Sequence, residues 1–309
     1  MGVDNDAMLN VINLERFATH DGPGIRTVIF LKGCPLFCPW CANPETQEVR
    51  LPVLFHNANR CVGCRECERV CAPEGGAISF GGGYFSFDAA KCSECGLCLR
   101  ACLHDALEFC GRSRTVREVL DVAERDRDYY EASEGGGITV SGGEPLLHRE
   151  WALPLLREAH ARGLNTAVET TGNVSWETIE AVEPHVDHFL YDFKHIDDLT
   201  LRRVAGGNGP LIKENLERLA ATHAEKINAH IPVIPGFNYD RHTLVSMIDW
   251  LRGIGITRLN LLPYHTLGLG KYQQLHLEYQ VTGKSLADDA LTEYHEYALS
   301  LGMESKVGA

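Results

Sequence analysis

Short apolar runs alternate with stretches of helical spacing along most of the chain. The runs have the short length typical of buried strands, and they cover residues 138–140, 166–168, 188–193, 227–234 and 258–262. Between them, apolar side chains recur every three or four residues, as at Leu153, Leu156 and Ala159, which is the spacing of one face of an α-helix. This alternation predicts an α/β fold whose parallel strands are joined by right-handed crossovers.

Two more apolar runs lie near the start of the chain, at 9–14 and 27–31. The second run belongs to the same series as the later strands, so the sequence predicts about six strand-helix repeats. A helix is predicted from Thr115 to about residue 130, because Thr115 and Glu118 have the spacing of a capping box and the apolar residues that follow share one face.

Composition and charge exclude several classes of protein. The 309 residues are 44% hydrophobic, enough for a full core, and the net charge of −13 argues against a nucleic-acid partner, which would need clustered Lys and Arg. No stretch approaches the roughly 20 apolar residues of a membrane span, and the first residues lack the order of a signal peptide. We therefore expect a cytoplasmic protein with no membrane partner.

Twelve cysteines without a secretion signal indicate metal binding rather than disulfides. Cys34, Cys38 and Cys41 follow a C-x3-C-x2-C pattern that brings three thiolates onto one loop, and such soft ligands select zinc or an iron-sulfur cluster. A structural zinc site needs four protein ligands, whereas three cysteines on a four-iron cluster leave one iron open for chemistry. A zinc knuckle with a distant fourth ligand is the alternative.

Residues 52–110 contain an internal duplication of the pattern C-x2-C-x2-C-x3-C. This spacing is typical of bacterial ferredoxins with two 4Fe-4S clusters, in which the fourth cysteine of each run binds the other run's cluster. The pattern predicts one auxiliary cluster on Cys61, Cys64, Cys67 and Cys102, and a second on Cys92, Cys95, Cys98 and Cys71. Two four-cysteine zinc sites are the alternative, although zinc modules usually space their pairs more widely. Cys110 fits neither run and is expected to be a buried or half-buried thiol that behaves as a small apolar residue rather than as a ligand.

The three-cysteine loop and its flanks resemble a known family. Upstream, residues 20–27 read His-Asp-Gly-Pro-Gly-Ile-Arg-Thr, and downstream, residues 40–46 read Trp-Cys-Ala-Asn-Pro-Glu-Thr. With Cys34, Cys38 and Cys41 these segments resemble the radical S-adenosylmethionine (SAM) superfamily, and within it the glycyl radical enzyme activating enzymes. The resemblance implies that SAM binds the open iron and is cleaved reductively to a 5′-deoxyadenosyl radical. That radical would abstract an α-hydrogen from a glycine of a partner enzyme.

The resemblance also implies an architecture. The expected fold is a partial (β/α)6 radical SAM barrel, formed by residues 1–51 and 111–309. A ferredoxin-like module with two 4Fe-4S clusters, residues 52–110, would be inserted after the cluster loop. Together with SAM, the expected cofactors are therefore three 4Fe-4S clusters.

Candidate SAM contacts lie in the cluster loop and at the ends of predicted strands, where parallel barrels gather their ligands. By resemblance, Gly142, Gly143 and Glu144 would hold the methionyl amine, although a turn and helix start would give the same pattern. Lys194 would balance the SAM carboxylate beside Asp192, with a structural salt bridge as the competing interpretation. The full set of implied contacts is Trp40, Ala42, Gly142, Gly143, Glu144, Asp192, Phe193, Lys194 and His265. The segment 169–172 resembles another part of the family's SAM site, with Glu169 where an Asp is common.

The expected partners are a glycyl radical enzyme and a low-potential electron donor, either flavodoxin or ferredoxin. Activating enzymes with ferredoxin inserts suggest isethionate sulfite-lyase, choline trimethylamine-lyase, glycerol/diol dehydratase and 4-hydroxyphenylacetate decarboxylase as candidate substrates. Two other functions fit the cysteines. One is a radical SAM enzyme that acts on a small molecule, and the other is an electron-transfer protein whose barrel only carries clusters.

Overall fold

The computed structural model describes residues 5–308. Residues 1–4 and 309 lie outside the described residues. The prediction that the chain lacks a signal peptide depends largely on residues 1–4 and so also lies outside them. The strands, in chain order, are β1 Met8–Ala18, β2 Arg26–Leu31, β3 Val53–His56, β4 Ile78–Gly81, β5 Tyr84–Phe87, β6 Leu107–Cys110, β7 Arg112–Thr115, β8 Gly137–Gly142, β9 Asn165–Thr170, β10 His188–Asp192, β11 Ile227–Val233, β12 Arg258–Pro263 and β13 Glu304–Val307.

Eleven α-helices accompany these strands in the described part of the chain. They are α1 Glu66–Cys71, α2 Leu97–Ala101, α3 Val116–Ala123, α4 Arg127–Ala132, α5 Arg149–Ala161, α6 Trp176–Val182, α7 Asp198–Ala205, α8 Gly209–His223, α9 Arg241–Gly253, α10 Leu269–Leu275 and α11 Thr292–Ser300. None of the helices within residues 5–308 is both long enough and apolar enough to cross a bilayer.

One nine-stranded sheet forms the body of the protein, in the order β13-β12-β11-β10-β9-β8-β2-β1-β7. The six strands β2 and β8 to β12 are mutually parallel neighbours, as the alternation of apolar runs and helical stretches predicts. The sequence did not reveal β13, a seventh parallel strand whose residues alternate between exposed and half-buried. At the other edge, β1 pairs antiparallel with β2, and β7 with β1.

The prediction of one continuous helix from Thr115 to about residue 130 is wrong, because the structure has two helices there. Thr115 does cap α3 through the predicted capping box, but a 3-10 turn at Glu124–Asp126 separates α3 from α4. The break follows from Asp126, whose fully buried carboxylate accepts hydrogen bonds from Arg16 (Nε, 2.7 Å) and Thr27 (Oγ1, 3.3 Å). These partners lie on β1 and β2, so Asp126 is drawn toward the sheet.

Residues between the cluster loop and β7 form a unit with its own small sheets and core. β3 pairs with β6 and β4 with β5, both antiparallel, and α1 packs beside α2. Leu54, Ile78, Phe85, Cys98 and Leu107 form a buried cluster separate from the main core. The chain thus leaves the large sheet after β2 and returns to it at β7.

Arg26 at the start of β2 is the largest fully buried side chain. Its Nε donates to Thr139 Oγ1 at 2.7 Å, and its two terminal nitrogens donate to backbone carbonyls and to the Asn165 side chain. The carbonyl acceptors are Pro23, Gly135, Ile138 and Asn165. Burial lowers the pKa of Arg26 to about 10, so it stays charged at neutral pH. One guanidinium therefore joins the amino-terminal ends of β2, β8 and β9.

We expect Arg26→Lys to lower the free energy of unfolding by about 3 kcal/mol, because a lysine ammonium cannot reach the acceptors of a planar guanidinium and leaves buried carbonyls unpaired. Chemical denaturation of the metal-free chain, followed by circular dichroism, measures the change. Arg218→Lys is the matched control, since Arg218 pairs with Glu214 on the exposed face of α8 and such pairs contribute little. Equal stability of the two variants would contradict the role given to Arg26.

Candidate active site

The carboxyl ends of the parallel strands surround a cavity of about 260 Å³. In a parallel α/β sheet these ends gather in one place, so residues far apart in sequence meet there. The predicted residues that line the cavity are Cys34, Cys38, Cys41, Trp40, Ala42, Gly142, Gly143, Asp192, Lys194 and His265. Two of the predicted SAM contacts, Glu144 and Phe193, do not line it.

The three cysteines sit on a loop that backbone hydrogen bonds close on itself. Gly33 N donates to Thr46 O (2.7 Å) and Cys34 N to Gln47 O (3.0 Å), which joins the two ends of the loop. Burial raises the pKa of Cys34 to about 12 and that of Cys38 to about 11. The thiols are therefore neutral until a metal displaces their protons. Three sulfurs on one side of an open cavity suit a cluster with one iron free for a further ligand.

Two glycines bring the end of β8 against this loop. A Cβ atom on Gly142, which has φ of +118°, would lie 2.2 Å from the carbonyl oxygen of Leu31, and one on Gly143 would lie 2.3 Å from that of Gly33. Both contacts are too short for any side chain. The backbone of these glycines, rather than any side chain, therefore forms this part of the cavity wall.

Glu144 is buried, and its carboxylate accepts four hydrogen bonds, three of them from the end of β9. It accepts hydrogen bonds from the hydroxyls of Thr170 (2.6 Å) and Thr171 (2.7 Å) and from the backbone N–H groups of Thr171 (2.8 Å) and Leu146 (3.2 Å). Burial raises the pKa of Glu144, and the hydrogen bonds from the threonines act in the opposite direction. The carboxylate thus joins the end of β8 to the end of β9.

Phe193 also lies outside the cavity wall. Its side chain is 1% exposed and stacks on Trp250 with ring centroids 4.7 Å apart. Its backbone N–H donates to His230 O at 2.8 Å. Phe193 therefore fixes the chain that leads from Asp192 to Lys194.

Lys194 is a buried cation beside an acid. Its Nζ donates to Asp192 Oδ2 at 2.7 Å, and both side chains are less than one fifth exposed. Burial acts to lower the pKa of Lys194, but the charge of the Asp192 carboxylate dominates and raises it. Lys194 is therefore a permanent positive charge directly facing the cysteine loop.

Glu169 at the end of β9 faces the same cation. Its carboxylate makes a short hydrogen bond with the Ser141 hydroxyl, and its ligand atoms lie within 4.8 Å of those of Asp192 and His230. Burial and the nearby Asp192 raise the pKa of Glu169 to about 7. The Asp192 Oδ1 and His230 Nδ1 atoms, 4.0 Å apart, are buried without a hydrogen-bond partner. This side of the cavity is thus polar and incompletely paired.

Sequence reasoning missed the part played by α10. Lys271 Nζ donates to Asn43 Oδ1 (2.7 Å) and to Glu45 Oε1 (2.6 Å), which ties α10 to the tail of the cysteine loop. No local pattern could reveal a contact over more than 220 residues. Pro232 and Ile234 at the end of β11 also line the cavity, and the strand-end rule could have found them.

The remaining eight predicted ligands fall into two separate chambers of the inserted unit. One chamber is lined by Cys61, Cys64, Cys67 and Cys102. The other is lined by Cys71, Cys92, Cys95 and Cys98. The crossing of the fourth cysteines follows from the side-by-side packing of α1 and α2. Cys110 lines neither chamber, and it pairs with Val53 in the β3–β6 sheet.

Comparisons with known proteins agree with this arrangement. The family profile described as Radical SAM superfamily matches residues 28–250. An isethionate sulfite-lyase activating enzyme of Oleidesulfovibrio alaskensis is 45% identical over 84% of this chain and 84% of its own length. A choline trimethylamine-lyase activating enzyme of the same organism is 38% identical over 91% of both chains.

Among solved structures, Streptococcus suis SuiB bound to precursor peptide SuiA superimposes with a TM-score of 0.50. The two chains are 12% identical, and the match covers 64% of this chain and 43% of that one, so it concerns the fold alone. The superfamily profile spans more than half of the chain, and the two activating enzymes align with more than four fifths of it. The chain therefore belongs to the radical SAM superfamily, and within it to the activating enzymes of glycyl radical enzymes.

Proposed function

We propose that this chain activates an isethionate sulfite-lyase by abstracting a hydrogen atom from one of its glycines. The observation that carries the activase function is the closed loop of three cysteines facing a buried cation across a strand-end cavity. When bound there, a 4Fe-4S cluster supplies the electron that splits SAM into methionine and a 5′-deoxyadenosyl radical. Glycine suits that radical because its α-carbon is unhindered and the flanking amides stabilise the product.

Each end of SAM finds a complementary group in the cavity. Lys194 balances the methionyl carboxylate, and its pairing with Asp192 fixes the position of the ammonium. The backbone of Gly142 and Gly143 accepts the methionyl amine, while Glu144 holds that backbone in place through the β9 end. Trp40, Ala42 and His265 contact the nucleoside, and the packing of Trp40 on Phe237, with ring centroids 4.5 Å apart, orients the indole. These side chains orient the sulfonium and exclude water.

The choice of isethionate sulfite-lyase as partner depends on a comparison within one organism. The two relatives from Oleidesulfovibrio alaskensis are named for different lyases, and the one named for isethionate sulfite-lyase shares more residues with this chain, 45% against 38%. Choline trimethylamine-lyase is therefore the second candidate partner. A small-molecule substrate and a purely electron-carrying role have no such support.

Residues 52–110 are proposed to be a ferredoxin-like module that holds two further 4Fe-4S clusters. The sulfurs of each chamber form a complete four-cysteine set, which suits such a cluster. Cys64 and Cys95 are exposed, so an electron donor such as flavodoxin or ferredoxin can approach either chamber closely. Thiolates that must stay reduced fit the cytoplasm as the location.

An anaerobic assay tests the proposed function. The chain is reconstituted with iron and sulfide, reduced with dithionite, and mixed with SAM and either purified isethionate sulfite-lyase or purified choline trimethylamine-lyase. We expect 5′-deoxyadenosine in both mixtures and a glycyl doublet in the electron paramagnetic resonance (EPR) spectrum only with isethionate sulfite-lyase. Deoxyadenosine without a glycyl signal in any mixture would favour a small-molecule substrate, and no deoxyadenosine would reject the function of the cysteine loop.

Replacing one loop cysteine should abolish SAM cleavage. We expect Cys38→Ala to reduce 5′-deoxyadenosine to the level of a blank and iron from about twelve to about eight per chain, because the other two cysteines cannot hold a cluster. Cys110→Ala is the matched control, since Cys110 lies outside all three cysteine sets. It should keep both the iron and the activity. A Cys38→Ala variant that still produces deoxyadenosine would contradict the assignment.

Glu169 should make the free energy of unfolding depend on pH, and the sign of that dependence follows from the direction of its pKa shift. Its pKa rises from 4.5 to about 7 on folding, so the folded state binds the proton more tightly and the free energy of unfolding falls as pH rises between these values. We expect Glu169→Gln to match the wild type near pH 4.5 and to exceed it by up to about 3 kcal/mol above pH 7.

Urea denaturation of the metal-free chain under reducing conditions, repeated from pH 4.5 to 8, measures this difference. Glu217→Gln, at an exposed position on α8, is the control and should run parallel to the wild type across the range. Parallel curves for Glu169→Gln as well would mean that the Glu169 carboxylate is no harder to ionise when folded.

A further inference from the structure

The two chambers of the inserted unit are related by the sequence duplication, and they differ at several matching positions, one of which is His56 against Phe87. His56 lies five residues before Cys61, and Phe87 lies five residues before Cys92. Each is the last residue of its strand, β3 or β5, and each lines its own chamber. The duplication therefore places an imidazole beside the chamber of Cys61 and a phenyl ring beside the other.

Packing on several sides holds the His56 ring in one orientation. The side chain is 4% exposed, and its ring stacks on Phe85 with centroids 4.1 Å apart and planes at 15°. Phe80, which also lines the chamber, meets it edge-on at 6.4 Å. His56 Nδ1 lies 2.8 Å from Nε2 of His276. Its second ring nitrogen, Nε2, is buried and has no hydrogen-bond partner.

His276 comes from the barrel part of the chain, at the end of α10. It takes a left-handed conformation, φ +56°, as the C-cap residue of that helix. The other end of α10 holds the cysteine loop through Lys271. The imidazole pair thus joins the inserted unit to the helix that fastens the radical-generating loop.

We propose that His56 Nε2–H donates a hydrogen bond to a sulfur of the cluster in the Cys61 chamber, with His276 fixing the required tautomer. The inference rests on the proposed function, which places a cluster there. A cluster and its thiolates offer only negatively charged acceptors, so a bare Nε2 lone pair would be repelled and an N–H favoured. With the proton on Nε2, Nδ1 accepts from His276 Nε2–H, as the 2.8 Å contact allows.

This hydrogen bond gives the two auxiliary clusters different reduction potentials. A donor to a cluster sulfur stabilises the more negative, reduced state and so raises the potential. Phe87 cannot donate such a bond, so the Cys61 chamber holds the cluster with the higher potential. Electrons that enter the inserted unit therefore collect at the chamber that α10 links to the radical-generating loop.

Redox titration monitored by EPR tests the proposal. The full chain carries Cys34→Ala, Cys38→Ala and Cys41→Ala, so that only the two auxiliary couples are observed. We expect His56→Phe to reduce the ratio of reduced to oxidised cluster at a fixed potential about tenfold for one couple, which is about 59 mV for a one-electron step, and to leave the other couple unchanged. His276→Phe should shift the same couple in the same direction by less, because the tautomer is then no longer imposed.

His104→Phe is the matched control. His104 also lines the Cys61 chamber but is exposed to solvent, so water can replace its contacts and the potentials should not move. Unchanged potentials in His56→Phe, or an equal shift in His104→Phe, would overturn the proposal and leave the proposed function intact. Iron is counted before each titration. About four irons per chain in place of about eight would reject the cluster in this chamber, and with it both the hydrogen bond and this part of the proposed function.

Discussion

Two buried ions hold the opposite ends of the same strands, and the cavity depends on both. At the amino-terminal ends, the Arg26 guanidinium joins β2, β8 and β9. At the carboxyl ends, the Glu144 carboxylate joins the β8 end to the β9 end through three hydrogen bonds, and it accepts a fourth from the nearby Leu146 N–H. Each ion is satisfied by several donors or acceptors, which is the condition under which a buried charge is tolerated. Between them the strands have a fixed register, so the strand-end residues face the cysteine loop in a fixed geometry.

The electrostatics of the cavity suit a zwitterionic sulfonium ligand. The three cysteine thiols of the loop are uncharged before metal binding because burial raises their pKa values. Opposite the loop, Lys194 supplies a fixed positive charge, and Asp192 and Glu169 supply acidic groups, of which Glu169 holds its proton more tightly than an exposed glutamate does because burial raises its pKa. The positive charge and the acidic groups thus lie on one wall, where Lys194 is the proposed partner of the methionyl carboxylate, while the methionyl amine is assigned to the backbone of Gly142 and Gly143.

The features that depend on neighbouring residues in the sequence could be predicted from the sequence. The six parallel strands follow from the alternation of apolar runs and helices, and the cysteine sets follow from spacing alone. The break at Asp126 could not be predicted, because its partner Arg16 lies 110 residues away. The same is true of Lys271, which meets Glu45 across 226 residues. Glu144 was recognised as important, but which way its carboxylate turns depends on hydroxyls of the next strand end. The sequence therefore predicts which residues lie near the cavity, whereas tertiary packing determines which of their side chains line it.

The cysteine loop is closed by its own backbone, through the hydrogen bonds from Gly33 to Thr46 and from Cys34 to Gln47. The shape of the loop is therefore set by β2, which precedes it, and by α10, which binds its tail through Lys271. These backbone hydrogen bonds offset part of the entropic cost of gathering three sulfurs at one place, which is the advantage of a preorganised binding loop.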